Sequence, residues 1–298
     1  MKIAILGGDQ REKILAKTLA EKGYDVRVLA NVAFFDQKIS FYNDYKNIIK
    51  GVDIVYIPLS GVDENNCVKK TFITENLEIN NQFLSNLDNS PLFLVGLIND
   101  KLRKLFDNLN INYVELNTLS DLAILNAIPT AEGAINFALE NTPYTLFESN
   151  ILLSGLGKVG LTLAWRLKAL GANLYVVTRA KGAISRGRDL GFEMISYNNL
   201  ENNLDKIDII FNTVPKQIFN KNYLDLLKKD VLIIDLASSP GGIDFSYAKK
   251  IGINAFLLSG IPGKIAPETA ANFLGEKVDE LAVEYFSKKE GEKDEIEK

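Results

Sequence analysis

One short segment constrains the fold of this chain more than any other: a glycine-rich turn between an apolar run and an amphipathic helix. The run Ile151-Leu152-Leu153-Ser154 leads into the turn Gly155-Leu156-Gly157-Lys158-Val159-Gly160. Apolar residues then recur at helical spacing as far as Gly171, and Leu174–Thr178 is again strand-like. A strand, a GxGxxG turn, a helix and a second strand are typical of the Rossmann βαβ unit. The segment therefore predicts a doubly wound parallel sheet in the C-terminal half.

Each residue of this turn has a physical role in holding the pyrophosphate of a dinucleotide. Gly155 permits a tight turn, Gly157 lets the backbone approach the ligand, and Gly160 allows close packing of helix and strand. The helix begins at Lys158 and Val159, where backbone N–H donors and the positive end of the helix dipole favour an anion. These five residues are the predicted centre of the cofactor site.

The residues that follow the second strand of this unit favour NADP over NAD. An acid at this point would bind the ribose 2′-hydroxyl, whereas a base accommodates a 2′-phosphate. Thr178 and Arg179 stand there instead of an acid, and Lys181 adds positive charge. We expect NADP as the cofactor, with ordinary solvated surface cations as the alternative interpretation.

The remaining pattern predicts two α/β domains. We expect an N-terminal substrate-facing domain of residues 1–126, a Rossmann domain of residues 127–266, and a helix in 267–298 that returns toward the N-terminal domain and ends in a charged, frayed tail. A helix over Asp121–Ile128 should stop at Pro129, and a second should cover Ala131–Asn141. The other expected strands are Ile3–Leu6, Asp25–Leu29, Ile54–Leu59, Leu92–Val95, Asn112–Leu116, Asp208–Phe211, Val231–Leu236 and Ala255–Leu258.

The composition excludes several classes of protein. A formal net charge of −4 without a long basic cluster argues against nucleic acid or an anionic membrane as partner. The chain has no histidine, which excludes histidine-based catalysis, and we expect no metal site. The single cysteine, Cys67, excludes an intramolecular disulfide, and no apolar run approaches the roughly 20 residues that span a bilayer. We expect a cytoplasmic protein that acts on a small molecule.

Further candidate site residues follow predicted strands at the ligand-binding edge of each sheet. Gly7-Gly8-Asp9 lacks the third glycine and places an acid where a pyrophosphate would lie, so we predict no second nucleotide site there. The candidates for substrate contacts are Asp9, Arg11 and Ser60, with helix caps or surface charges as the alternative. The candidates for the border of the nicotinamide ribose are Thr213, Val214, Pro215, Ser238 and Ser239, with simple turn chemistry as the alternative.

Several segments together resemble one known family. They are Gly7–Arg11, Ile128–Ile135, Gly155–Gly160, Asp235–Gly242 and Pro262–Pro267. On these motifs the chain resembles the A-subunit family of dipicolinate synthase. The resemblance implies NADP-dependent oxidation of dihydrodipicolinate to pyridine-2,6-dicarboxylate, in a sporulation pathway that leaves the lysine and diaminopimelate branch. It also implies a partner, the flavoprotein-like B-subunit of dipicolinate synthase.

This chemistry would ask the protein to orient a ring, neutralise two carboxylates and accept one proton. Glu132, expected near the start of a helix between the domains, is a candidate base or ligand of the ring nitrogen, or simply an acid at a helix N-terminus. Thr130 has the same ambiguity between a substrate contact and a helix cap. Lys264, in an expected loop, is the candidate carboxylate ligand. We expect Thr130, Glu132 and Lys264 to border one cleft.

Two other functions remain open from the sequence. A D-2-hydroxyacid dehydrogenase would share the two-domain plan, but that family uses a histidine acid that this chain lacks. A regulatory module that senses NADP without turnover is the non-enzymatic alternative. In each case we expect a homo-oligomer.

Overall fold

The computed structural model describes residues 1–31, 38–69 and 71–296, with side chains as far as residue 289. Its contacts divide the chain into two compact units: unit 1 is Met1–Ala123 with Ala266–Lys298, and unit 2 is Ile124–Ile265. Each unit contains one six-stranded sheet, and all strand pairs in both sheets are parallel. The predicted fold class, two α/β domains with a Rossmann sheet in the second, is confirmed.

The sheet of unit 1 consists of short strands, and its central strands are largely buried. In chain order they are β1 (Lys2–Ile5), β2 (Asp25–Leu29), β3 (Ile39–Tyr42), β4 (Ile54–Ile57), β5 (Leu92–Val95) and β6 (Tyr113–Glu115). Their spatial order is β3-β2-β1-β4-β5-β6, so the direction of winding reverses between β1 and β4. Ligands of doubly wound sheets bind beside such a reversal, at the carboxyl ends of the strands.

The sheet of unit 2 repeats this plan. Its strands are β7 (Asn150–Ser154), β8 (Asn173–Val177), β9 (Glu193–Ile195), β10 (Ile209–Asn212), β11 (Leu232–Asp235) and β12 (Asn254–Leu257). Their spatial order is β9-β8-β7-β10-β11-β12, with the reversal between β7 and β10. The two units therefore share the same strand order, which the sequence indicated only as a general likeness of architecture.

Helices cover both faces of the two sheets. They are α1 (Gln10–Glu21), α2 (Tyr45–Ile48), α3 (Asn81–Leu84), α4 (Asp100–Asn108), α5 (Ser120–Asn141), α6 (Lys158–Ala169), α7 (Lys181–Asp189), α8 (Lys221–Leu224), α9 (Phe245–Ile251), α10 (Ile261–Ile265) and α11 (Pro267–Ile296). Short 3₁₀ helices occupy Leu116–Thr118, Tyr197–Asn199 and Glu201–Lys206. In unit 1, Leu15 and Leu19 of α1 share a buried cluster with Leu274 and Val278 of α11. Burial of this apolar stripe holds α11 on unit 1.

The two helices expected over Asp121–Ile128 and Ala131–Asn141 are one continuous helix. The expected stop at Pro129 does not occur, because α5 continues through it. A proline inside a helix loses one backbone hydrogen bond and costs about 3 kcal/mol. Here Ala131, Ala134 and Ala138 form a fully buried stripe in the core of unit 2, and this packing offsets the cost. Thr130 therefore lies inside a helix and not at its cap.

The C-terminal region also differs from the sequence-based expectation. Lys264 lies in the five-residue helix α10 and not in a loop. The expected frayed tail from Lys288 is helical as far as Ile296, and its last two residues lie outside the described part of the chain. Strands β3 and β9 carry no strong apolar signal and were missed.

Within the described residues, α5 is long and apolar enough to cross a membrane by length and composition. The expectation that no apolar segment approaches that length is therefore wrong for α5. Its buried alanine stripe packs in the core of unit 2. A core helix of a folded domain can pass the same test of length and composition as a membrane-spanning helix.

Candidate cofactor and substrate site

The N-terminus of α6 is open where a pyrophosphate would bind. Gly157 is the N-cap residue, with an extended conformation (φ −82°, ψ −158°) and no side chain to cap the first turn. A Cβ atom added to Gly157 would meet no described atom within 4 Å beyond its own chain neighbours. Open space over the N–H groups of Lys158 and Val159, at the positive end of a helix, fits a phosphate group.

The other two glycines of the turn are required by close contacts within the protein. Gly155 adopts a left-handed conformation (φ +93°), and a Cβ on it would lie 2.3 Å from Thr213 Oγ1. A Cβ on Gly160 would lie 2.2 Å from the carbonyl oxygen of Gly155. The Thr213 hydroxyl donates to the carbonyl oxygen of Ser154 at 3.0 Å. The predicted cofactor residues Gly155, Gly160 and Thr213 therefore pack together at the end of β7.

The equivalent turn of unit 1 is closed by the chain itself. The N-cap of α1 is Asp9, which accepts a hydrogen bond from Arg11 N at 3.0 Å, and the third helical residue, Glu12, accepts one from Asp9 N at 2.8 Å. In α6 these two positions are occupied by Gly157 and Gly160. A Cβ on Gly8 would lie 2.3 Å from Glu12 Cβ. Carboxylates of the protein thus occupy in unit 1 the space that unit 2 leaves open for an anion.

The predicted substrate contacts of unit 1 lie around this closed turn. Arg11 is buried, and its Nε and Nη2 atoms donate to both oxygens of Asp9 at 3.0 and 2.9 Å. Glu12 Oε1 accepts from Leu59 N at 3.1 Å. Burial raises the pKa of the Glu12 carboxyl, and the charge of Arg11 opposes the rise. Ser60 Oγ is buried without a hydrogen-bond partner in the described chain.

Two exposed cations are the predicted ligands of a 2′-phosphate. Arg179 and Lys181 are exposed after β8 and at the start of α7. The guanidinium carbon of Arg179 lies 4.8 Å from the centroid of the Tyr197 ring. Thr178 Oγ1 accepts a long hydrogen bond of 3.4 Å from Ala180 N, so its role here is in the turn.

A buried polar pair supports the loops on the other side of the site. Asp235 is fully buried and accepts from Asn212 Nδ2 at 2.8 Å, from Ala237 N at 3.0 Å and from Gly242 N at 2.6 Å. Asn212 Nδ2 also donates to the carbonyl oxygen of Val214 at 2.9 Å. The pair therefore shapes the loops of the predicted nicotinamide contacts, of which Pro215, Ser238 and Ser239 are exposed.

Sequence reasoning missed both members of this pair. Each is the last residue of an otherwise apolar strand, and the two are aligned in the register of β10 and β11. A polar residue at the end of a buried strand is the signal that could have found them.

A pocket of about 250 Å³ lies where α5 faces α10 and the carboxyl end of β12. Phe137, Leu257 and Ile261 contribute its apolar wall, and Lys264 contributes a cation. Gly133 makes the close approach of the helices possible, since a Cβ there would lie 2.3 Å from Ile261 Cγ2. Strand β12 pairs with β11, so the pocket lies next to the loop that Asp235 supports.

The structure does not bring all three candidate catalytic residues into this pocket. The Thr130 hydroxyl donates to the carbonyl oxygen of Asn126 at 2.7 Å, within α5. Glu132 is largely exposed and forms an ion pair with Arg166 of α6 at 3.2 Å. Lys264 alone of the three lines the pocket. Among the described residues, no cluster of histidine, cysteine and carboxylate groups is placed to hold a metal ion.

Comparison with known proteins decides the family. The chain is 33% identical over 290 residues to the dipicolinate synthase A-subunit from Bacillus subtilis (strain 168), an alignment that covers 95% of this chain and 96% of the relative. The chain belongs to the A-subunit family of dipicolinate synthase. Residues 2–117 match the N-terminal domain of this family, and the range contains Asp9, Arg11 and Ser60.

Solved structures of the family have the same fold. The dipicolinate synthase A chain from Bacillus subtilis matches with a TM-score of 0.87 and 31% identity, covering 97% of each chain. The corresponding protein from Bacillus halodurans matches with a TM-score of 0.87 and 30% identity, covering 94% of this chain and 97% of that one.

The second family match identifies the kind of chemistry. Residues 130–240 match the NAD-binding domain of D-isomer-specific 2-hydroxyacid dehydrogenases. This range contains the Gly155–Gly160 turn, Arg179 and Asp235. This member of the dipicolinate synthase family is therefore a dehydrogenase-type oxidoreductase with an NAD(P)-binding Rossmann domain.

Proposed function

We propose that this chain uses NADP to oxidise dihydrodipicolinate to pyridine-2,6-dicarboxylate during sporulation, together with a flavoprotein-like B-subunit. The observation that carries the proposal is the open N-terminus of α6 beside the exposed cations Arg179 and Lys181, in a chain of this family. NADP, when bound, supplies the hydride acceptor. The cations supply a partner for its 2′-phosphate, because each charge-assisted hydrogen bond to a phosphate contributes about 1.5–3 kcal/mol.

The reaction is a two-electron oxidation that makes the ring aromatic. One ring carbon gives up a hydride, and a neighbouring ring atom gives up a proton. The protein therefore has to hold a flat ring, balance two carboxylates and take up one proton. Aromatisation contributes driving force, and the chain's own contribution is mainly orientation.

The pocket beside β12 supports binding of a flat dicarboxylate on unit 2. Phe137 and Leu257 offer apolar surface for the ring, and the Lys264 ammonium offers a charge for one carboxylate. In unit 1, the unpartnered hydroxyl of Ser60 is the proposed substrate contact. Arg11 and Asp9 bind each other, so we assign them to the support of that region.

Glu132 is the proposed proton acceptor, although it does not line the pocket beside β12, and its exposed carboxylate forms only a surface ion pair, with Arg166. Because surface pairs contribute about 0–1 kcal/mol, Glu132→Gln should leave folding nearly unchanged and lower kcat. Glu140→Gln is the matched control, since Glu140 is an acid on the same helix that lines the pocket. If Glu140→Gln lowers kcat and Glu132→Gln does not, the base would be Glu140 and not Glu132. Lys264→Met should mainly raise KM, and wild-type kinetics in both Glu132→Gln and Lys264→Met would refute this substrate site.

The decisive experiment is a coupled assay. Aspartate semialdehyde is condensed with pyruvate, and the chain is added with NADP, with and without the B-subunit. NADPH absorbance and terbium luminescence of the chelating product should rise together, and a Gly157→Ala variant should strongly reduce both signals at an NADP concentration that is just saturating for wild type. NADPH without the chelator would indicate another substrate. Silence in both signals, when the partner is present and NADP is bound, would indicate a sensing module.

We do not propose a 2-hydroxyacid dehydrogenase, although residues 130–240 match that domain. Carbonyl reduction in those enzymes uses a histidine acid, and the chain contains no histidine. The match supports the cofactor domain and does not identify a substrate.

A further inference from the structure

The guanidinium group of Arg179 stacks on the aromatic ring of Tyr197, a residue that follows the neighbouring strand of the sheet. Arg179 follows β8, and Tyr197 opens the 3₁₀ helix that follows the neighbouring strand β9. The guanidinium carbon lies 4.8 Å from the centroid of the Tyr197 ring, within the range of a cation–π interaction. Arg179 is itself exposed, so the contact fixes a cation that would otherwise be free to move in solvent.

The Tyr197 ring is itself held in place by packing. It is half-buried and packs against the core cluster that includes Leu152, Val177 and Leu200. Burial raises the pKa of its phenol, while the charge of Arg179 acts in the opposite direction, so the side chain is neutral at physiological pH. The ring thus links the core of unit 2 to the residue expected at the 2′-phosphate.

We infer that Tyr197 is a positioning residue for cofactor selectivity, which holds the Arg179 guanidinium ready for the 2′-phosphate of NADP. The inference rests on the proposed use of NADP and extends it to a residue outside the glycine turn. An unrestrained arginine loses rotamer freedom when it binds a phosphate, whereas a guanidinium already stacked on a ring has lost part of that freedom before the ligand arrives. Tyr197 therefore favours NADP over NAD without touching either.

The test measures the ratio of the dissociation constants for NADH and NADPH. The single tryptophan, Trp165, lies in α6, so energy transfer from it to the reduced nicotinamide reports binding. Tyr197→Leu removes the ring face and should lower the ratio about fivefold, the effect expected if about 1 kcal/mol of Arg179 side-chain entropy is then lost only on binding. Tyr197→Phe keeps the face and should retain the ratio. NADH affinity should change little in either variant.

A double-mutant cycle separates positioning from a general structural effect. In an Arg179→Ala background, Tyr197→Leu should produce no further change in the ratio, because the ring acts through Arg179. The same decrease with and without Arg179, or an unchanged ratio in Tyr197→Leu, would overturn the inference alone. A wild-type preference for NADH would overturn the cofactor proposal and this inference with it.

Discussion

Replacement of Gly157 by alanine should weaken cofactor binding strongly while the fold stays intact. The backbone at Gly157 (φ −82°, ψ −158°) is extended and open to any residue, so alanine introduces no strain. A Cβ at this position meets no described atom within 4 Å, so it introduces no clash within the protein. The added methyl group instead occupies the space through which a phosphate would reach the first N–H groups of α6.

The two expected effects differ in size. Alanine is a poorer N-cap residue than glycine, and we expect destabilisation of at most about 1 kcal/mol, a fall in Tm of roughly 2–4 °C. Displacement of the pyrophosphate from two backbone donors should cost about 3 kcal/mol, since one bond to a charged group contributes about 1.5–3 kcal/mol. The Kd for NADPH should therefore rise roughly 100-fold.

Gly160→Ala is the contrasting variant from the same turn. Its Cβ would lie 2.2 Å from the carbonyl oxygen of Gly155, so overpacking should destabilise the fold by about 1–3 kcal/mol. Thermal unfolding without cofactor and energy transfer from Trp165 to NADPH measure the two effects separately. NADPH affinity of Gly157→Ala within about twofold of wild type, in a folded protein, would show that no pyrophosphate lies over Gly157 and would refute the reasoning.

Three further predictions concern carboxylates that hold each unit together. Asp235→Asn should destabilise unit 2 by about 1–3 kcal/mol, because an amide cannot accept all three bonds, and denaturant unfolding will measure it; an unchanged midpoint would contradict the network. Burial raises the pKa of Glu12, so the stability that Glu12 contributes is greatest below its unfolded-state pKa and falls as pH rises through its folded-state pKa. The Tm of wild type relative to Glu12→Gln should therefore increase toward acid, and a decrease toward acid would refute this prediction. Hydrogen bonds from Lys22 and Tyr24 lower the pKa of Asp279, so Asp279→Asn should reduce the free energy of unfolding by at most about 1 kcal/mol near neutral pH and not at all in strong acid. The exposed control Glu284→Gln should change Tm little at either pH.

Much of the fold could be predicted from the sequence, and the reason is burial. Runs such as Ile54–Ile57, Leu92–Val95 and Leu232–Asp235 are buried on both faces of their sheets. Short runs of consecutive apolar residues are typical of the strands of a parallel sheet that is covered on both faces. The two strands that were missed, β3 and β9, are edge strands of only four and three residues with partly exposed side chains. Their sequences carry no such signal, because only pairing with a neighbour makes them strands.

Local rules failed where packing outweighed them. Pro129 is a helix breaker by local chemistry, but the buried alanine stripe of α5 keeps the helix continuous. The helix that contains Lys264 has five residues, too few for a periodic pattern, and it forms where Gly133 lets α10 approach α5.

The sequence by itself determined that the chain has a dinucleotide turn at Gly155–Gly160 and that a cation follows the second strand, because glycine spacing and charge are local properties. The sequence also predicted no nucleotide site at the Gly7-Gly8-Asp9 turn of unit 1. Only the tertiary structure showed the physical reason: there the carboxylates of Asp9 and Glu12 fold back onto the helix N-terminus, whereas in unit 2 the N-cap position is Gly157 with open space around it. The placement of Tyr197 under Arg179 was equally beyond the sequence, since a contact between the ends of two strands depends on how the sheet pairs them.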